Sequence, residues 1–131
     1  MSDTPMPDRR DLIRQKVYVG GQKLYLDVGL RPDGTVGEIW ITVEKTGSEL
    51  RSLIDELARV SSKLLQHGCG LEEFAQGWLG MKGSPSGTVQ GDPRIKFATS
   101  LRDYIARHLL IYHCGREDLA HAPAPIEETT L

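Results

Sequence analysis

Cysteine is scarce in this 131-residue chain, and the two it has, Cys69 and Cys114, stand far apart without a CxxC. That spacing excludes a disulfide framework, a cysteine-rich zinc site and a redox pair, and it fits a reduced, cytoplasmic setting. Long apolar runs are missing too: none approaches the roughly 18 residues of a membrane helix, and Met1-Ser2-Asp3-Thr4-Pro5 lacks a signal-peptide core. A soluble protein without membrane contact is expected. Neither sign of charge dominates, since the formal net charge is −2 with acids and bases interspersed. The chain therefore has no whole-molecule positive field to hold nucleic acid, and any anion site must be local. Its length fits one domain.

Catalytic signatures are also absent. There is no G-x-G-x-x-G, and Gly87-Thr88-Val89 lacks the lysine that a P-loop places after its last glycine. His108, His113, Cys114 and His121 match no common zinc spacing. The adjacent Glu72 and Glu73 read as solvated helix-start residues, because paired acids do acid/base work only across a cleft. No Ser/His/Asp or Cys/His set has useful spacing, so no catalytic residue and no metal ligand is assigned.

What the chain does have is a pattern of strands followed by helices. Residues 1–14 carry prolines and mixed charge without period and read as a flexible lead-in. From Lys16, Val17 and Val19 alternate with polar neighbours up to Gly20-Gly21, a two-residue hairpin turn. Leu24, Leu26, Val28 and Leu30 then share one face of a second strand. Arg31-Pro32-Asp33-Gly34-Thr35 is a turn, and a third strand runs from Val36 to Val43. A four-residue loop from Pro32 to Thr35 sets Leu26 opposite Ile41 and Val28 opposite Ile39. A loop one residue shorter would mix the apolar and polar faces. The second face carries Tyr18, Tyr25, Asp27, Glu38, Trp40 and Thr42. Its rings, Tyr18, Tyr25 and Trp40, either cover the sheet or receive a partner.

Thr46-Gly47-Ser48-Glu49 has capping-box spacing and opens a long helix that closes at Gly68. Leu50, Leu53, Ile54, Leu57, Val60, Ser61, Leu64 and Leu65 lie on one stripe, which is expected to cover the sheet. Leu71, Phe74, Ala75 and Trp78 make a short helix ended by Gly80, and 81–91 reads as a Gly/Ser/Pro loop. That loop leads into Asp92-Pro93-Arg94-Ile95-Lys96, then a helix start at Thr99-Ser100. Thr99 and Ser100 can each accept free N–H groups of the first turn, and Asp103 can reach back. Lys82, Arg94, Lys96 and Ser100 around this start form a candidate phosphate or carboxylate site. The last helix is expected to bury Leu101, Tyr104, Ile105, His108, Ile111 and Tyr112 and to end at Gly115. Residues 122–131 read as a disordered acidic tail.

The expected architecture is thus α+β. A three-stranded antiparallel meander over about 16–43 is packed by helices at about 48–67, 71–79 and 100–114, in one domain spanning 15–121.

Several fragments occur in a distinctive order: Gly21-x-Lys23-x-Tyr25-Leu26, Asp33-Gly34, Gly37-Glu38-Ile39 and Gly47-Ser48-Glu49-Leu50-Arg51. Then come Pro85-x-Gly87-x-Val89-Gln90-Gly91, Ile95-Lys96-x-Ala98-Thr99-Ser100-x-x-Asp103-Tyr104 and Asp118-Leu119-Ala120-His121. Together they resemble the C-terminal TSCPD domain of bacterial adenosylcobalamin-dependent (class II) ribonucleotide reductases. The family motif is Thr-Ser-Cys-Pro-Asp; this chain keeps Thr99, Ser100 and Asp103 but has Leu101 and Arg102 between them. The helix-cap role carries over and a thiol role does not, Leu101 being expected to fill the core instead. The resemblance implies a non-catalytic small subunit or detached module working with a large catalytic reductase chain, which would hold the adenosylcobalamin. The alternative is a free-standing module that binds phosphate, nucleotide or nucleic acid.

Overall fold

The structure, a computed structural model, describes residues 5–125. Expectations placed on residues 1–4 and 126–131 lie outside the described residues. Three long strands come first, β1 (Asp11–Val19), β2 (Gln22–Leu30) and β3 (Val36–Val43). After them come α1 (Ser48–Gln66), α2 (Leu71–Gln76), two short strands β4 (Gly87–Gln90) and β5 (Phe97–Ala98), and α3 (Leu101–Cys114).

The meander is present with the expected register: Leu26 faces Ile41 and Val28 faces Ile39. Gly20 and Gly21 both have positive φ, as a type I′ turn requires, and a Cβ on Gly20 would meet the Ser86 carbonyl at 2.4 Å. The sheet is larger than expected, with five strands among the described residues in the order β3-β2-β1-β4-β5. The segment expected to be a loop contains β4, which pairs with β1 through Tyr18–Gln90 and Val19–Val89. Thr88-Val89-Gln90 is too short to show a period, so it could not be told from loop. β1 also starts earlier, at Asp11, and residues 11–14, expected as lead-in, pair with β2 as far as Leu30. Arg14 fixes this extension by donating to both oxygens of Asp27, at 2.7 and 2.9 Å.

α3 is the central helix. Its Tyr104, Ile105, Leu109 and Leu110 join Val17, Leu24, Leu26 and Ile39 of the sheet in one buried core. Tyr112, expected in that face, is 38% exposed.

The expected packing of α1 holds for only part of its stripe, since Ser61 and Leu65 are buried and Ile54 packs against the core. Only Ala58, Ser61 and Leu65 of this helix are buried, while Leu50, Leu53, Leu57, Val60 and Leu64 are exposed. The reason lies in where the helix sits: it runs along β3, the sheet's edge strand, rather than across the sheet face. Edge backbone groups need partners, and α1 supplies them. The Ser62 hydroxyl accepts from the Ile39 amide at 3.0 Å and donates to its carbonyl at 3.1 Å, and Gln66 donates to the Gly37 carbonyl. Small residues on that side let the helix come close, Leu65 packs in at its C-terminal end, and Leu50, Leu53, Leu57 and Leu64 face away. The expected cap of α1 is absent as well. Gly47 is the N-cap and no side chain accepts a capping bond there, while Thr46 donates to the Val43 carbonyl.

Candidate functional site

The junction from Asp92 to Asp103 is held by two polar clusters. In the first, the Ser100 hydroxyl accepts from the Asp103 amide at 2.9 Å, and Asp103 reaches back to accept from the Thr99 amide at 3.0 Å. That reciprocal pattern is the capping box expected from the sequence, displaced by one residue at its return arm. Asp103 also accepts from the Gly80 amide at 2.7 Å, and Arg107 stands 3.6 Å from it. Thr99 departs from the expectation: its hydroxyl donates to the Met81 carbonyl rather than capping α3. The three motif residues therefore tie the α2–β4 connection to the start of α3. Leu101, in the position of the family cysteine, is only half-buried and lines an apolar groove of about 280 Å³ with Leu50, Ile54, Pro85 and Ile105.

The second cluster, which sequence reasoning misses, centres on Asp92. Its carboxylate accepts from the Arg94 amide at 2.9 Å, from Tyr104 at 2.8 Å and from Tyr112 at 2.7 Å, with His108 Nδ1 at 3.6 Å. Burial opposes its ionisation, yet bonds from His108, the Arg94 amide, Tyr112 and Tyr104 outweigh that and hold it at about 2. Burial beside this charge pushes both tyrosine hydroxyls up, so they stay protonated donors. The available signal is the spacing of Tyr104, His108 and Tyr112, four residues apart on one stripe of α3. In the sequence that stripe looks like apolar burial, because the rings dominate. All the named Asp92 contacts are internal, so the cluster anchors the 91–96 segment to α3.

The candidate anion group does not assemble. Arg94 is only 5% exposed and is paired with Glu117, with Nη1 donating at 3.1 Å. Its carbonyl accepts from the His121 amide at 2.9 Å. Ser100 is buried and committed to its cap. Lys82 and Lys96 are exposed. A guanidinium inside the fold and a hydroxyl already in use cannot join them around a ligand.

The rings of the outer sheet face share one side of the sheet without stacking on each other, Tyr18 lying opposite Lys23, Tyr25 opposite Thr42 and Trp40 opposite Asp27. Trp40 is 42% exposed, and Tyr18 and Tyr25 are half-buried. Cations lie over each: Arg10 over Trp40, Arg14 and Lys23 over Tyr25, and Lys16 over Tyr18. Beneath them Asp27 and Glu38 are buried and matched by Arg14 and Arg10. Gly29 makes space for this, since a Cβ there would meet the Glu38 side chain at 2.4 Å.

Among the described residues no group of three or more His, Cys, Asp or Glu is placed to hold a metal ion, and no helix is long and apolar enough to cross a membrane. Fold and site together define a small α+β domain whose motif residues build its internal junctions. The TSCPD domain family model matches residues 3–113, and the chain belongs to that family. Its curated relatives include the vitamin B12-dependent ribonucleotide reductase of Bradyrhizobium diazoefficiens, 45% identical over 116 residues, which are 88% of this chain and 9% of the relative. The same-named protein of Agrobacterium fabrum is 43% identical over an equal span, again 9% of its length. That of Rhodopirellula baltica is 36% identical over 113 residues, 86% of this chain and 11% of the relative. The chain thus spans about a tenth of the length of these relatives. No solved structure matches it.

Proposed function

We propose that this chain is a non-catalytic module acting with a large cobalamin-dependent ribonucleotide reductase chain, in the cytoplasm, to support deoxyribonucleotide formation for DNA synthesis. The observation that carries this reading is the match itself: 88% of the chain aligns at 45% identity to a B12-dependent reductase, yet fills only 9% of it. In this reading the cobalamin and the radical chemistry belong to the large chain. The internal commitment of Thr99, Ser100, Asp103 and Asp92 supports an architectural role for the motif. The outer sheet face is the docking surface in this reading. An exposed Trp40 among Arg10, Arg14, Tyr18 and Tyr25 has the tryptophan, tyrosine and arginine composition of interface hot spots.

The test is reconstitution. A cobalamin-dependent reductase chain lacking its own such domain is assayed for deoxynucleotide formation with and without this protein, and for capture by it. Added protein should raise turnover, and Trp40→Ala should weaken capture at least about tenfold. Equal turnover in both conditions, with no capture, would sink the proposal.

A further inference from the structure

The apolar stripe that α1 turns away from its own sheet has a strict spacing. Leu50, Leu53, Leu57, Val60 and Leu64 follow intervals of three, four, three and four, and all five are between 39% and 58% exposed. That is the a/d seam of a coiled coil, on a helix already held rigid by its bonds to β3. A seam of this kind on a small globular domain marks a partner helix.

We propose that the partner is a second copy of this chain, packed α1 against α1 in antiparallel orientation about a two-fold axis. Charge decides for self-pairing and for direction. A two-fold interface must be complementary to itself, so each charge on the flank must find its opposite across the axis. The flank of the seam away from the domain carries Glu49, Glu56 and Lys63, all exposed and one heptad apart, and Glu49, at the helix start, lies outside the stretch that two antiparallel copies would pair. With Leu57 packed against Val60 of the second copy and Leu53 against its Leu64, Glu56 of each copy reaches Lys63 of the other, twice by symmetry. A parallel pair would set Glu56 against Ser61, which is buried against its own domain and carries no charge. Glu56 also pairs with Arg59 within the helix, but both are largely exposed and such a pair constrains it little. The groove lined by Leu50, Ile54 and Leu101 adjoins the seam and continues the apolar surface. The seam is short, since 19 residues of helix span about 28 Å, and a dissociation constant on the order of 10 μM is expected.

Sedimentation equilibrium of the full chain tests this. The wild type should pass from monomer to dimer as concentration rises through tens of micromolar, and Leu57→Lys should raise the dissociation constant at least about tenfold with unchanged circular dichroism. Glu56→Lys and Lys63→Glu should each weaken the dimer alone, the first by making both flank positions basic and the second by making both acidic. Mixed one to one, they should form a heterodimer tighter than either variant's own dimer, because a basic flank then faces an acidic one at both contacts. Native mass spectrometry of the mixture reads that preference. A chain that stays monomeric up to about 0.5 mM, a dimer indifferent to Leu57→Lys, or a mixture without heterodimer preference overturns the proposal. If the wild type is monomeric and Leu57→Lys abolishes binding to a reductase chain, the seam belongs to that chain and self-pairing falls.

Discussion

The helices α1 and α3 reverse each other's chemistry. α1 turns Ala58, Ser61 and Ser62 to the protein and five aliphatic side chains to solvent. α3 buries Asp103, Tyr104 and His108 among its core residues. What separates them is the surface each must match. α1 lies against the backbone edge of β3, where small side chains and hydroxyls allow close approach and satisfy N–H and C=O groups. α3 shares one buried core with the sheet's apolar residues and collects the connections on either side, so its polar groups are kept only because each named bond meets a partner. Apolar periodicity thus says that a helix has a sticky side. The neighbour decides whether that side is core.

The largest effect should come from α3. Asp103→Ala leaves the Gly80 and Thr99 amides without their acceptor and Arg107 without its carboxylate, all around a site only 1% exposed. A loss of about 3–5 kcal/mol is expected in urea denaturation, because removing one partner of a buried ionic network costs more than the pair contributes. A loss below about 1 kcal/mol would mean that the junction is not held this way. On α1, Leu65→Ala should cost about 2–4 kcal/mol, since Leu65 is 3% exposed and truncation leaves a cavity. Ser61→Leu should cost about 1–3 kcal/mol by forcing the helix off β3. If Leu65→Ala proved harmless while Leu57→Ala did not, the orientation of α1 would be reversed.

Much of this was legible in the chain. The glycine pair at 20–21, the register between β2 and β3 and the cap at Ser100–Asp103 follow from local rules that tertiary packing left intact. The same is true of family membership, carried by fragments strung over one domain. What was not legible depends on distant partners. The strand at 87–90 exists because β1 has a free edge there, and the burial of Arg94 because Glu117 reaches it after α3 has turned the chain back. A basic residue before a helix start looks alike whether it faces a ligand or an internal carboxylate. Likewise, the leucines of α1 would have read as core on any side of the helix.

Acid should sharpen the contrast, because the two largest shifts in the acid range belong to α3 and its anchor. His113 is pushed from its ordinary 6.5 to about 4, by burial first and by His108 second. The unfolded chain therefore takes up that proton first, and stability falls as pH drops from about 6.5 to 4. Asp92, held at about 2 against an ordinary 3.8, contributes stability above pH 4 that is lost between about 4 and 2. Denaturation midpoints at pH 7, 5 and 3 should decline in that order. Asp92→Asn should flatten the lower step and His113→Gln the upper one. A midpoint equal at pH 7 and pH 3 would contradict both assignments.

The smallest effect on stability is expected at Leu53, the most exposed position of the α1 stripe at 58%. Its side chain meets water in the single chain, so Leu53→Ser removes no core contact and should change the unfolding free energy by less than about 0.5 kcal/mol at low protein concentration. Helix propensity pulls slightly the other way, since serine is a weaker helix former than leucine. The two helices then give opposite answers to a reversal of side-chain polarity. A polar-to-apolar change at Asp103 breaks the fold, and an apolar-to-polar change at Leu53 leaves it standing. A loss above about 2 kcal/mol for Leu53→Ser, measured at a concentration where only monomer sediments, would show that the stripe packs within the chain and that the two helices are not reversed after all.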